Sequence, residues 1–276
     1  MPRVRKFDGS LEAYDRRKVI AFCRRLEVSR AEAEAVADRV EARLSDGLST
    51  QKLLQRVRRE VLQYRPHTRL RRDLRSAISL LRSQPDWERF VQGLLERVGY
   101  AVEGNRVLRG RCVDNEVDGV LRTSSETIML EVKHHVAPHT KTSLDVPRVV
   151  HAVFEDLKEG YALGYHDVDF TGALIVCNTK FSTEGTRYAE CQGIGRLCWK
   201  DPADRGLEVL IEEEHFYPLT ILRDVDAKTK IALSDHGIIL VEQILDADFK
   251  QLAATTGVRA ARLEDLARTA RNVLPM

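Results

Sequence analysis

Between residues 11 and 63 the chain is free of proline and repeats its apolar side chains at helical spacing: Val19, Ile20, Phe22, Cys23 and Leu26, then Ala35, Val36, Val40 and Leu44. Apolar positions three and four apart fall on one stripe of a helix, so the segment predicts three amphipathic helices. Ser29 followed by Glu32 has the pattern of a capping box, Asp46-Gly47 ends the second helix, and Ser49 or Thr50 can cap a third that runs to about Gln63. Tyr64-Arg65-Pro66 is a break. From 67 to 84 the chain is rich in arginine, with Leu70, Leu74, Ile78 and Leu81 on one face, which predicts a connecting helix. Pro85-Asp86-Trp87 opens another helix, through Leu95, which ends at Val98-Gly99-Tyr100.

After Tyr100 the period shortens. β-type runs cover 100–109, 116–122 and 127–133, a helix follows from about Val146 to Glu159, and residues 172–177 read as a buried strand. Strands followed by a helix and a further apolar strand imply an α/β core with a mixed sheet. From Ile231 onward the pattern is helical again. The expected fold class is therefore multidomain α and α/β. A mostly helical segment spans 1–64, a helical connector 65–84, an α/β core 85–225 and a helical element 226–276.

Charge sharpens this division. The formal net charge of +2 conceals 21 basic against 11 acidic side chains in residues 1–85, a net of +10, and 23 against 31 in 86–276, a net of −8. A basic amino-terminal third suits a polyphosphate or nucleic-acid backbone, and an acidic remainder suits a divalent-cation site. Apolar runs such as 238–241 fall far short of a membrane span, and the first residues lead into no signal-type apolar stretch, so the expected setting is the cytoplasm, away from membranes. Five cysteines without a Cys-x-x-Cys pair support neither a disulfide framework nor a zinc ribbon.

The segment richest in chemistry is Glu116-Val117-Asp118-Gly119-Val120, followed by Ile128-Met129-Leu130-Glu131-Val132-Lys133. Alternate strand residues share a face, so Glu131 and Lys133 project together and a hairpin brings Asp118 beside them. The two carboxylates with the Val132 carbonyl suit a hard cation, Mg²⁺ or in its place Mn²⁺. A nearby lysine can orient or help deprotonate water and neutralise charge on a phosphate. These parts suit phosphodiester hydrolysis. An exposed cross-strand ion pair is the plainer reading. His135, sharing the face of Lys133, is a candidate DNA contact, whereas His134 faces the other way and is expected to be packed or solvated.

With Trp87-Glu88-Arg89-Phe90 leading into Gly99-Tyr100, and Val176-Cys177-Asn178-Thr179 and Trp199 following, residues 87–199 resemble the Mrr-like restriction endonuclease branch of the PD-(D/E)XK superfamily. The resemblance implies that Asp118 and Glu131 bind metal, that Lys133 assists the attacking water, and that Glu88 is an outer catalytic carboxylate; Glu116 is a looser addition. Val4-Arg5-Lys6-Phe7-Asp8-Gly9 through Val19 resembles the ATP-cone, a regulatory module that binds ATP or dATP. That implies nucleotide contacts from Val4, Lys6 and Lys18, with Arg5 and Arg17 as further candidates, although Phe7 stands where the cone carries an arginine. The tail around Thr256-Gly257-Val258 resembles a helix-hairpin-helix unit, which implies DNA phosphate contacts at Gly257, Arg259 and Arg262.

Together these features predict a Mg²⁺-dependent DNA endonuclease of restriction or genome-defence type, regulated by a nucleoside triphosphate. A homodimer would let one site per chain cut both strands. The alternatives are a nucleotide-sensing DNA-binding regulator with an inert nuclease fold, and a structure-specific junction nuclease.

Overall fold

A computed structural model describes residues 2–6, 9–26 and 28–274. The chain is a mixed α/β protein whose contacts fall into two compact units, Met1–Arg71 with Arg268–Met276, and Arg72–Ala267.

In the smaller unit, strand β1 (Arg3–Arg5) pairs antiparallel with β2 (Leu11–Ala13). Helices α1 (Arg16–Arg25) and α2 (Arg30–Glu41), strand β3 (Leu48–Ser49) and helix α3 (Thr50–Val61) follow, and β3 lies parallel to β1. The expected three helices are present. The apolar stripes named above close one core through Val19, Cys23, Val36 and Val40, joined by Val57 and Val61 of α3. Ser29 and Glu32 form the capping box, with Ser29 Oγ accepting from Glu32 N at 3.3 Å and Glu32 accepting from Ser29 N at 2.8 Å. Ser29→Ala leaves an orphan donor at the start of α2 and should cost about 1 kcal/mol, read as a lower midpoint in chemical denaturation. Gly47 closes the second helical region at φ 76°, a left-handed conformation glycine adopts without penalty. Phe7 and Asp8 of the cone-like stretch lie outside the described residues.

The connecting helix expected over 67–84 is interrupted. A 3₁₀ turn covers Pro66–Leu70, and helix α4 (Leu74–Ser79) starts afresh, with Asp73 as its cap. Between them the Arg72 guanidinium donates to the carbonyls of Thr220 and Leu222 at 3.1 and 2.6 Å, drawing the chain at 72 into the larger unit.

The larger unit continues with α5 (Glu88–Arg97) and strands β4 (Ala101–Glu103), β5 (Arg106–Arg109), β6 (Asp114–Val117), β7 (Gly119–Arg122), β8 (Thr127–Lys133) and β9 (Lys141–Thr142). Then come α6 (Asp145–Ala162), β10 (Gly172–Cys177), β11 (Lys180–Phe181), α7 (Thr183–Cys191) and β12 (Gly195–Leu197). The five-stranded sheet has the order β12-β10-β8-β7-β4: β4, β7 and β8 are antiparallel neighbours, whereas β8, β10 and β12 run parallel. The parallel pairs need crossovers, which α6 and α7 supply. Val120 and Met129 belong to the core cluster that α6 covers, and Leu121 and Leu130, on the other face by alternation, are also buried, so β8 sits centrally. Gly160 lets α6 approach β5 closely, since a Cβ there would lie 2.5 Å from the Arg109 carbonyl oxygen.

After β12 comes α8 (Leu207–Glu213), and the tail is helical as expected: α9 (Ala227–Ser234), α10 (Val241–Leu245), α11 (Phe249–Thr256) and α12 (Ala260–Val273). No helix among the described residues is long and apolar enough to cross a membrane.

Candidate active site

Asp118 sits at the joint between β6 and β7. Its amide donates to the Leu130 carbonyl at 3.2 Å, after which the ladder between β7 and β8 stops, because β6 leaves to pair with β5. The next amide of β8 on that edge would lack a partner, and the Asp118 side chain supplies one: Val132 N donates to Asp118 Oδ2 at 2.6 Å. The strand kink thus places a carboxylate against β8 beside Glu131. Alternation along β8 carries Glu131 and Lys133 to one face, and Lys133 Nζ lies 2.5 Å from Glu131 Oε1. The three residues that the hairpin argument joined are therefore joined, with Val132 between them.

The electrostatics follow from crowding. Burial, then the charge of Glu131, then that of Glu88, push the Asp118 carboxyl up to about 6, against the pull of the Val132 amide. Burial works to lower the Lys133 ammonium, but its hydrogen bond to Glu131 prevails and leaves it raised. Lys133 is consequently a cation at neutral pH.

Glu88 belongs to the same cluster through residues that sequence reasoning passed over. Gln92, one turn after Glu88 on α5, donates from Nε2 to the Asp118 carbonyl at 2.9 Å and to Asn105 Oδ1 at 3.3 Å. Asn105 in turn donates to Glu88 Oε2 at 3.3 Å. The i, i+4 spacing of Glu88 and Gln92 on one helix face was the available signal.

Among the described residues no three His, Cys, Asp or Glu side chains gather as a ready cation cage. A divalent ion would rest on Asp118, Glu131, the Val132 carbonyl and water, and Mg²⁺, which keeps several waters and accepts one or two carboxylates, fits such a donor set. Glu116, on the β6 strand, pairs with Val107 of β5.

The two histidines turn away from this cluster. His134 Nε2 meets the Ile78 carbonyl at 3.0 Å and Nδ1 meets Ser83 Oγ at 3.1 Å, with the ring against Trp87. His135, expected to touch DNA, instead points Nε2 at Thr142 Oγ1, 3.0 Å away, and its backbone is clasped by the Asn178 amide. Burial lowers both imidazoles. The cysteines are free, Cys177 and Cys198 being buried with their sulfurs 3.3 Å apart.

In the smaller unit Lys6 and Lys18 converge on one carboxylate. Lys6 Nζ is 2.5 Å from Glu12 Oε2, and Lys18 pairs with Glu12 Oε1. These hydrogen bonds, that of Lys18 foremost, bring Glu12 down to about 2. Val4, named as a nucleotide contact, is buried in the core with strands on both sides. The Arg5 carbonyl accepts from Thr50 Oγ1 at 3.1 Å, and Arg17, almost fully exposed, reaches Asp15 at 3.3 Å.

At the tail, Gly257 ends α11 at φ 70° with open space around it, and Arg259 is exposed. Arg262, expected to reach a phosphate, instead pairs with Asp224 and Asp226 at 3.7 and 3.9 Å and donates to the Asp224 carbonyl.

A mixed sheet with a carboxylate pair and a lysine at the end of its central strand defines the architecture, and the chain belongs to the AF1548-like family. The AF1548-like, C-terminal family matches residues 217–274. An uncharacterized protein from Archaeoglobus fulgidus is 32% identical over 181 residues, which cover 66% of this chain and 98% of that protein. The crystal structure of AF1548, a protein of unknown function, shares 32% identity with a TM-score of 0.57, covering 67% of this chain and 95% of the other.

Proposed function

We propose that the larger unit is a Mg²⁺-dependent DNA endonuclease with a PD-(D/E)XK core. The observation that carries this reading is the meeting of Asp118, Glu131 and Lys133 on one face at the end of β8, with Asp118 anchored on the Val132 amide. Asp118, Glu131 and the Val132 carbonyl would hold the ion, which when bound polarises the phosphate and lowers the pKa of water. Lys133, held protonated by Glu131, stabilises negative charge on the phosphate and orients water, rather than acting as a base. Glu88 is the outer carboxylate, kept in place by Asn105. Supercoiled, linear, branched and single-stranded DNA, incubated with Mg²⁺ or with chelator, test the reading. Metal-dependent cleavage that survives in Lys133→Ala would refute it.

The smaller unit is proposed as an ATP-cone that takes ATP or dATP, with Lys6 and Lys18 moving from Glu12 to the triphosphate. Millimolar ATP or dATP should raise the melting temperature by mass action, by up to about 3 kcal/mol of stability at a hundredfold excess over Kd, and Lys18→Ala should shrink the rise. Calorimetry without nucleotide heat would exclude the cone reading. At the tail, Gly257 and Arg259 remain the proposed phosphate contacts.

A further inference from the structure

In the smaller unit, α2 and α3 enclose a groove of about 250 Å³ lined by Arg39, Val40, Arg43, Arg56, Arg59 and Glu60. Four guanidinium groups meet one carboxylate there, and that carboxylate is already engaged. Glu60, 7% exposed, accepts from Arg39 Nε at 2.7 Å and lies 3.6 Å from Arg43. Arg39 also donates to Tyr64 Oη at 3.0 Å, and Arg56 donates to the Arg43 carbonyl, which fixes the groove's walls. Arg59 is exposed and has no polar partner among the described residues. The acidic side chains of α2 nearest the groove in sequence serve another face: Asp38 and Glu41 both pair with Arg16, at 2.6 and 2.8 Å. Among the described residues, Glu60 is thus the groove's one carboxylate partner, and the four guanidinium groups keep a net positive charge.

The charges are spread along a line. Lys52, Arg56 and Arg59 fall on one stripe of α3, and seven residues at the helical rise separate the first from the last by about 10 Å. A compact anion would need convergent donors, whereas a row of cations, the Lys52 ammonium and the Arg56 and Arg59 guanidinium groups, matches successive phosphates, each able to accept paired hydrogen bonds from a guanidinium. We propose that this groove holds the phosphodiester backbone of DNA without reading its bases. The placement rests on residues of the smaller unit alone, and the choice of DNA over other phosphate chains rests on the proposed nuclease function.

The test is fluorescence anisotropy of the full chain in chelator, on two unrelated duplexes of equal length, across a series of KCl concentrations. Arg59→Glu leaves every described contact intact, so it is the lead variant, with Arg56→Ala/Arg59→Ala as the second and Arg59→Lys as the charge-preserving control. Both variants should weaken binding to the two duplexes alike. The double variant should flatten the slope of log affinity against log salt by up to about two, at roughly 0.9 per phosphate contact, while Arg59→Lys keeps the slope. Unchanged affinity and slope in folded Arg59→Glu would overturn the proposal. So would calorimetry in which inorganic triphosphate, but no duplex, distinguishes wild type from Arg59→Glu. Cleavage of supercoiled DNA by wild type with Mg²⁺ is scored separately: cleavage without a slope change removes the groove and keeps the nuclease, and a slope change without cleavage does the opposite.

Discussion

Asp118→Asn is expected to abolish Mg²⁺-dependent cleavage, by at least about 10²- to 10³-fold, and at the same time to stabilise the metal-free protein at neutral pH. The two effects have one origin. Burial and Glu131 raise the Asp118 carboxyl to about 6, so the folded chain holds its proton more tightly than the unfolded chain does. Stability from this group is fully present below the ordinary carboxylate range near 4 and is lost as pH rises through about 6. At pH 8 the ionised carboxylate is a penalty of roughly 1–2 kcal/mol once solvent screening is allowed for. Asparagine removes the charge and still accepts from the Val132 amide. In chelator, wild type should therefore lose more stability than Asp118→Asn between pH 5 and pH 8, and added Mg²⁺ should raise the melting temperature of wild type alone. An Asp118→Asn protein that cleaves at the wild-type rate, or that melts below wild type at pH 8 in chelator, contradicts the assignment.

Period and cap carried much of this architecture in the sequence. The stripes through Val19 and Val36, the Ser29–Glu32 box and the cap at Ser49 locate the helices of the smaller unit, because all are local consequences of helix geometry. The alternation Glu131-Val132-Lys133 places its charged pair on one face for the same reason. Long side chains were less legible. Arg72 lies in the arginine-rich connector and Arg262 in the tail expected to meet DNA phosphate, yet both reach carbonyl oxygens contributed by distant parts of the larger unit, and nothing local records such a partner. His135 shares the expected parity of β8, but the strand ends at Lys133, so alternation no longer fixes where the ring points.

Gln92 is the clearest case of a residue visible only in three dimensions, since its amide acts on Asp118, 26 positions later. Removing it with Gln92→Leu keeps the bulk and the helical propensity of α5 while leaving the Asp118 carbonyl and Asn105 Oδ1 without that donor. The Asp118 backbone would then be free to shift against β8, and Glu88 would lose the ordered Asn105 that holds it. Outer partners of ligating groups are commonly worth about 10- to 100-fold in affinity or activity, and the loss here should appear in kcat. KM for DNA should stay unchanged, because Gln92 carries no charge for phosphate. The Mg²⁺ concentration giving half-maximal rate should rise, as two carboxylates no longer sit at a fixed separation. Gln92→Glu should be worse than Gln92→Leu at pH 8, because a third carboxylate next to Asp118 and Glu88 cannot donate and adds repulsion, and it should recover partly near pH 5 where that carboxylate begins to protonate. A purely structural glutamine would lower the melting temperature of both variants and leave kcat, the Mg²⁺ dependence and the pH profile of the folded fraction at their wild-type values. Steady-state cleavage at several Mg²⁺ concentrations and pH values, with melting curves alongside, separates the two roles.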